Sequence, residues 1–202
     1  APTLVGHVLA SNVPALALPA IAHACLVGAA VVVKSGRHDR TSAPLFHEAI
    51  ALEDPALAAT IVPAYWPGHD AACELAAFER AAVLIGTGAD DTVAALAERW
   101  PSALVGHGER TSLMVVTHAA LSDLAPLAER IAYDVALYEQ RGCLSPHTVF
   151  VEGADDAILN EIAHAIRQHL DQCAVRLPMP PVDTTDRARI RAACDDAEWS
   201  AA

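Results

Sequence analysis

Apolar positions along this chain fall into two alternating patterns: short continuous runs, and longer stretches with helical spacing. Leu4 to Leu9 is a run of strand length, and Ser11-Asn12-Val13-Pro14 turns the chain into a helix predicted over Ala15 to Leu26. Ala29 to Val33 is a second strand, closed by Lys34-Ser35-Gly36, and Thr41 to Leu52 is a second helix. Thr60 to Pro63 is a third strand whose proline limits pairing, and His69 to Phe78 a short helix. Ala82 to Ile85 is a fourth strand that breaks at Gly86-Thr87-Gly88, after which Asp90 or Asp91 caps a helix running to Trp100. Ala103 to Val105 and Ser112 to Val116 are further strands. Leu124, Leu127, Ile131, Val135 and Tyr138 then recur at helical spacing, with Gly142 as the expected helix stop. Cys143 follows at the junction, and Pro146 separates the turn from the β-branched run Thr148 to Val151.

Continuous apolar strands alternating with helices argue a doubly wound α/β fold, with a mainly parallel sheet covered on both faces. Beyond Cys143 the pattern restarts. A strand is followed by an amphipathic helix over Asp155 to Cys173, a proline-rich stretch (Pro178, Pro180, Pro181) and a charged, alanine-rich helix. That tail has too little apolar surface to form a domain alone, so residues 143–202 read as the opening of a second α/β domain after a first domain over 1–142.

Composition narrows the function classes. The chain has 202 residues, 53% hydrophobic, with formal net charge −12, which leaves no basic surface suited to nucleic acid. The five cysteines have unrelated spacings and an odd count, the pattern of a reduced, cytoplasmic protein with neither a disulfide framework nor a metal spacing. Val13 to Val33 contains no Asp, Glu, Lys or Arg, but Pro14, Pro19 and His23 interrupt it and Gly28 divides it. It therefore reads as a buried helix and strand, with no membrane span.

Several short motifs carry candidate chemistry. Gly86-Thr87-Gly88, between strand and helix, is either a phosphate cradle or a plain turn. It lacks the third glycine of the dinucleotide fingerprint, and no P-loop sequence occurs. Lys34 and Arg37 close the second strand with two cations, fit either for an anionic ligand or for a solvated loop. Asn12 is a turn residue before proline or a donor to a developing oxyanion. Cys143 is a packed thiol or a nucleophile projecting from an inter-element turn.

In this order, Ser11-Asn12-Val13-Pro14, Val32-Val33-Lys34-Ser35, Ile85-Gly86-Thr87-Gly88 and Arg141-Gly142-Cys143 followed by Val149-Phe150-Val151 resemble the aldehyde dehydrogenase superfamily. Within it the chain is most similar to the acyl-CoA reductase branch, which includes the fatty acyl reductases of bacterial luminescence. The resemblance implies that Cys143 is the nucleophile and Asn12 the oxyanion donor. It puts Ser11, Lys34, Ser35, Arg37, Gly86, Thr87 and Gly88 on the cofactor side. It also implies reduction of an acyl thioester, from acyl-CoA or an acyl-carrier protein, to an aldehyde. Arg37 stands where NAD-preferring relatives carry a glutamate, so NADP(H) is expected over NAD(H). Gly106-His107-Gly108-Glu109-Arg110 replaces the usual Glu-Leu-Gly-Gly-Lys, which removes the water-activating glutamate of hydrolytic members. A homo-oligomer and an acyl-transferring partner protein are further expectations. The alternatives are an acyl phosphate reductase, a short-chain acylating or hydrolytic dehydrogenase, and a non-catalytic nucleotide-binding or scaffold subunit.

Overall fold

Five short apolar strands pair in parallel in the computed structural model, which describes residues 3–68, 70–177 and 184–200. The first compact unit, residues 1–111 with 141–143, holds this sheet. Its elements in chain order are β1 (Leu4–Val8), α1 (Ala17–Leu26), β2 (Ala30–Lys34), α2 (Ser42–Glu53), α3 (Pro55–Ala58), β3 (Ile61–Ala64), α4 (Ala71–Phe78), β4 (Val83–Thr87), α5 (Asp90–Arg99) and β5 (Leu104–His107). The strand order is β3-β2-β1-β4-β5. β1 is thus central, with Val5 beside Val31 on one side and beside Val83 on the other.

The side-chain alternation of β2 shows why helices cover both faces. Val31 and Val33 point into a core with Ala17, Ile21 and Ala24 of α1 and Ala43 of α2. Val32, between them, packs on the opposite core of Val8, Phe78, Leu84 and Leu96. A period of two sends alternate residues to opposite faces, so two apolar faces need two helical layers. Burying a side chain such as Ile21 or Leu84 contributes about 1.5–3 kcal/mol. Aspartate caps start two of the helices: Asp54 accepts from the Leu57 amide at 2.9 Å and Asp70 from the Cys73 amide at 3.0 Å. The doubly wound parallel sheet expected from the strand pattern is borne out. Pro63 is tolerated because β3 lies at the sheet edge.

His7 sits in the central strand and is buried, a feature the apolar pattern masks. Burial, and secondarily the nearby His23, pushes its pKa down to about 4.

The second compact unit comprises residues 112–140 and 144–202. It contains β6 (Leu113–Val116), a 3-10 turn over His118–Ser122, α6 (Leu124–Ala136), β7 (Thr148–Val151), α7 (Asp156–Arg176) and α8 (Thr184–Ser200). β6 pairs in parallel with β7, Leu113 opposite Thr148, in a separate two-stranded sheet. An apolar run announces a strand but not its partner, so this pairing lay outside the sequence pattern. α6 and α7 bury Ala128, Ile131, Ala132 and Ile162. The proline-rich stretch at 178–181 and His69 lie outside the described residues.

Two helix boundaries differ from expectation. α5 starts at Asp90, but Ala89 occupies the cap position with no side-chain bond; the Asp90 carboxylate instead accepts from the Glu109 amide at 2.8 Å. α6 ends at Ala136, well short of Gly142. Tyr138, Glu139 and Gln140 then take left-handed backbone with φ of 54°, 56° and 58°. Such conformations are uncommon for non-glycine residues and cost about 1–2 kcal/mol each. Local propensity favours continued helix there, so the turn departs from what the segment's own residues prefer. Ser145, buried, donates to the Leu137 carbonyl at 3.3 Å and closes the chain around the Cys143 turn.

Candidate active site

The strand order reverses at β1, whose neighbours β2 and β4 lead to helical layers on opposite faces. In open α/β sheets the crevice at such a switch point, outside the carboxyl ends of the strands, is where ligands bind. Ser11, Asn12, Lys34, Ser35, Arg37, Gly86, Thr87 and Gly88 all stand at the carboxyl ends of β1, β2 and β4. The topology thus gathers every cofactor-side candidate, and Asn12, at one end of the sheet.

Backbone contacts then fix the loop after β1. The Leu9 amide donates to the Lys34 carbonyl at 3.0 Å. The Thr87 hydroxyl accepts from the Ala10 amide at 3.0 Å and donates to the Val8 carbonyl at 3.1 Å. One side chain of β4 therefore satisfies both orphan groups where β1 ends. Gly36 approaches from β2: a Cβ there would fall 2.5 Å from Ser11 Cβ and 2.9 Å from the Ala10 carbonyl oxygen. Only glycine fits. Ser35 is buried, and its amide donates to the Ala64 carbonyl at 2.8 Å.

This loop holds Asn12 exposed, and its side-chain amide donates to the carbonyl of Arg141, two residues before Cys143. Arg141–Cys143 belong to the same compact unit as Asn12, so two candidates 131 residues apart in sequence come to one place. A carboxamide carries two N–H donors, and the contact with Arg141 uses one. Cys143 is exposed.

On β2, Lys34 is half-buried with its ammonium 5.7 Å from the centre of the Trp66 ring. Desolvation lowers its pKa from the ordinary lysine value, partly offset by the charge of Glu74. Glu74 is itself buried and accepts from Arg99 of α5. The indole nitrogens of Trp66 and Trp100 are buried polar atoms with no hydrogen-bond partner. Arg37 is exposed, and its carbonyl accepts from Arg40 Nε at 3.1 Å. The Arg40 guanidinium lies 4.0 Å from the centre of the Tyr65 ring, a cation-π contact that sequence reasoning missed.

Gly86 lets α5 come close: a Cβ there would meet Leu96 Cδ1 at 2.8 Å. The Gly88 amide donates to the His107 carbonyl at 3.2 Å. Gly106 lies against α5, and a Cβ would fall 2.5 Å from Val93 Cγ1. Among the described residues, no group of three or more His, Cys, Asp or Glu is placed to hold a metal ion. Nor is any helix among them long and apolar enough to cross a membrane.

The fold is one shared with solved aldehyde dehydrogenases. The NAD-dependent benzaldehyde dehydrogenase of Corynebacterium glutamicum matches 98% of this chain with 44% of its own, at TM-score 0.76 and 19% identity. An indole-3-acetaldehyde dehydrogenase solved with NAD+ matches 85% of this chain with 35% of its own, at TM-score 0.67 and 19% identity. At those identities the likeness is one of fold.

The chain belongs to the acyl-CoA reductase (LuxC) family, whose family model matches residues 1–202. The long-chain acyl-protein thioester reductase 2 of Photobacterium leiognathi is 26% identical over 171 residues, 82% of this chain and 35% of that protein. The long-chain acyl-protein thioester reductase of Photorhabdus laumondii is 26% identical over 192 residues, 90% of this chain and 38% of that protein. The chain thus spans a little over a third of these curated relatives. The resemblance read from the motifs is borne out at the level of family and fold.

Proposed function

We propose that this chain carries the nucleotide-binding part and the nucleophile of an NADP(H)-dependent reductase of acyl thioesters, acting through an acyl group on Cys143. The observation that carries this reading is the Asn12 side chain bonded to the Arg141 carbonyl beside exposed Cys143, at the switch point of the sheet. The family supports the substrate class, since the curated relatives are named as acyl-protein thioester reductases. Residues 1–142 would bind the nucleotide, and 143–202 would open the catalytic part.

The strand-end residues fit a nucleotide cofactor. Lys34 and Arg37 offer cations at the end of β2, beside the loop that follows β1. Arg37 suits NADP(H), because a guanidinium can hold a 2′-phosphate through paired hydrogen bonds. A nicotinamide held there would supply the hydride for reduction.

The chain's own residues do the rest. The Cys143 thiolate attacks the thioester carbonyl, and the tetrahedral intermediate expels the carrier thiolate, which leaves as a thiol after taking a proton. The second N–H of Asn12 and a backbone amide at Cys143 stabilise the oxyanion. After reduction, the thiohemiacetal collapses: its C–S bond breaks, the aldehyde leaves and Sγ returns as the nucleophile. Gly106 supplies no base for water, so the acyl group is reserved for reduction or return to a thiol. A reducing cytoplasm, an oligomeric holoenzyme and an acyl-donating partner protein fit an exposed reactive thiol. The test is to give acyl-CoA and NADPH to the intact protein and to Cys143→Ala and measure aldehyde. Aldehyde from the parent alone supports the reading; undiminished turnover by the variant overturns it.

A further inference from the structure

The loop that carries Asn12 is held from two sides by the β2–α2 loop, and the second hold is a single carboxylate. Gly36 abuts Ala10 and Ser11 on the near side of Asn12. On the far side, Asp39 Oδ2 accepts from the Ala15 amide at 2.9 Å. Asp39 Oδ1 accepts from both the amide and the hydroxyl of Ser42, at 3.1 and 2.6 Å, at the start of α2. Ala15 has φ of 64°, left-handed backbone that alanine rarely adopts unaided, and its carbonyl accepts from the Leu18 amide as α1 begins. Partial burial alone would raise the Asp39 pKa, yet the bonds from Ser42 and Ala15 hold it below the ordinary carboxylate value.

We infer that Asp39 is a positioning residue for the oxyanion donor, clamping the Asn12 loop to the loop that carries Lys34 and Arg37. This rests on the reading of Asn12 given above. The clamp brackets Asn12 between Ser11 and Ala15, so the amide that meets the substrate oxygen moves as one body with the cofactor-side loop. Cofactor seated on Lys34 and Arg37 would therefore tighten Asn12 as well. Asparagine cannot replace the aspartate, because a carboxamide has one acceptor oxygen and would turn its NH2 toward a backbone N–H. Glutamate keeps two acceptor oxygens.

The experiment is a double-mutant cycle in the intact protein with Asn12→Ala, Asp39→Ala and both together, measuring aldehyde formation from acyl-CoA. Loss of an oxyanion donor lowers kcat by about 100- to 1000-fold. A misplaced donor lowers it by up to about 100-fold. The expected result is that Asp39→Ala lowers kcat more than it raises KM, that Asp39→Asn resembles it while Asp39→Glu recovers part, and that the double variant is no slower than Asn12→Ala. Amide exchange near Ala15 should speed up in Asp39→Ala with the sheet still protected, which also shows that the variant is folded. Additive losses, or unchanged exchange near Ala15, overturn the clamp and leave the role of Asn12 standing. An Asn12→Ala variant with parental kcat overturns the underlying reading, and the inference with it.

Discussion

Replacing Thr87 by valine tests the geometry of the Asn12 loop without touching a proposed catalytic group. The hydroxyl is part-buried and makes two bonds to backbone 77 and 79 residues away, accepting from Ala10 and donating to Val8. Valine preserves the shape and removes both bonds. Each such bond contributes about 0.5–1.5 kcal/mol net, so the loss is about 1–3 kcal/mol, kept from the upper range by water reaching a site that is only half-buried. For a chain of this size each kcal/mol moves the melting temperature by about 2–4 °C. Thermal unfolding followed by circular dichroism therefore places Thr87→Val roughly 2–10 °C below the parent. Thr87→Ser, which keeps the hydroxyl, should lose less than half as much. The reasoning fails if Thr87→Val melts with the parent, or if serine is as damaging as valine.

Other expectations follow from single contacts. Gly106→Glu should not create a hydrolytic enzyme, since its Cβ meets Val93; overpacking of about 1–3 kcal/mol should appear in denaturant unfolding and be relieved by Val93→Ala. Arg37→Glu should move cofactor preference from NADPH toward NADH, read as the ratio of dissociation constants by fluorescence titration; an unchanged ratio removes Arg37 from the phosphate site. Leu84→Ala, at a fully buried position of β4, should destabilise by about 2–5 kcal/mol in the same unfolding assay. His7 gives a pH signature. Its folded pKa of about 4 lies below the ordinary 6.5, so the unfolded chain takes up the proton first as pH falls. The His7 contribution should fall by about 3 kcal/mol between pH 6.5 and 4 and level off below. His7→Gln should flatten that limb, and an unchanged slope would exclude His7 as its source.

The order of strands and helices was legible because period and length report which faces are buried. Pro63 was legible as a limit on strand pairing because it lacks an N–H, and Cys143 as a junction residue between a helix and a strand. What bonds to what across the sheet was not legible. The Thr87 hydroxyl, the Asp39 carboxylate and the bare face of Gly36 act on backbone far away in sequence, and nothing in their own neighbours marks them. The early end of α6 was hidden as well, because Tyr138, Glu139 and Gln140 have acceptable helix propensity yet take left-handed backbone. β6 and β7 both showed themselves as strands, yet their pairing was invisible, since an apolar run carries no address.

The central claim is that Cys143 takes up an acyl group while Asn12 stands beside it, and intact-mass measurement reads this directly. The intact protein is mixed with long-chain acyl-CoA without reductant, and the adduct is mapped to its peptide. The account predicts one acyl group on Cys143, lost when NADPH is added and absent from Cys143→Ala. An adduct on Cys25, Cys73, Cys173 or Cys194 instead, or an acylated Cys143→Ala variant, would contradict it.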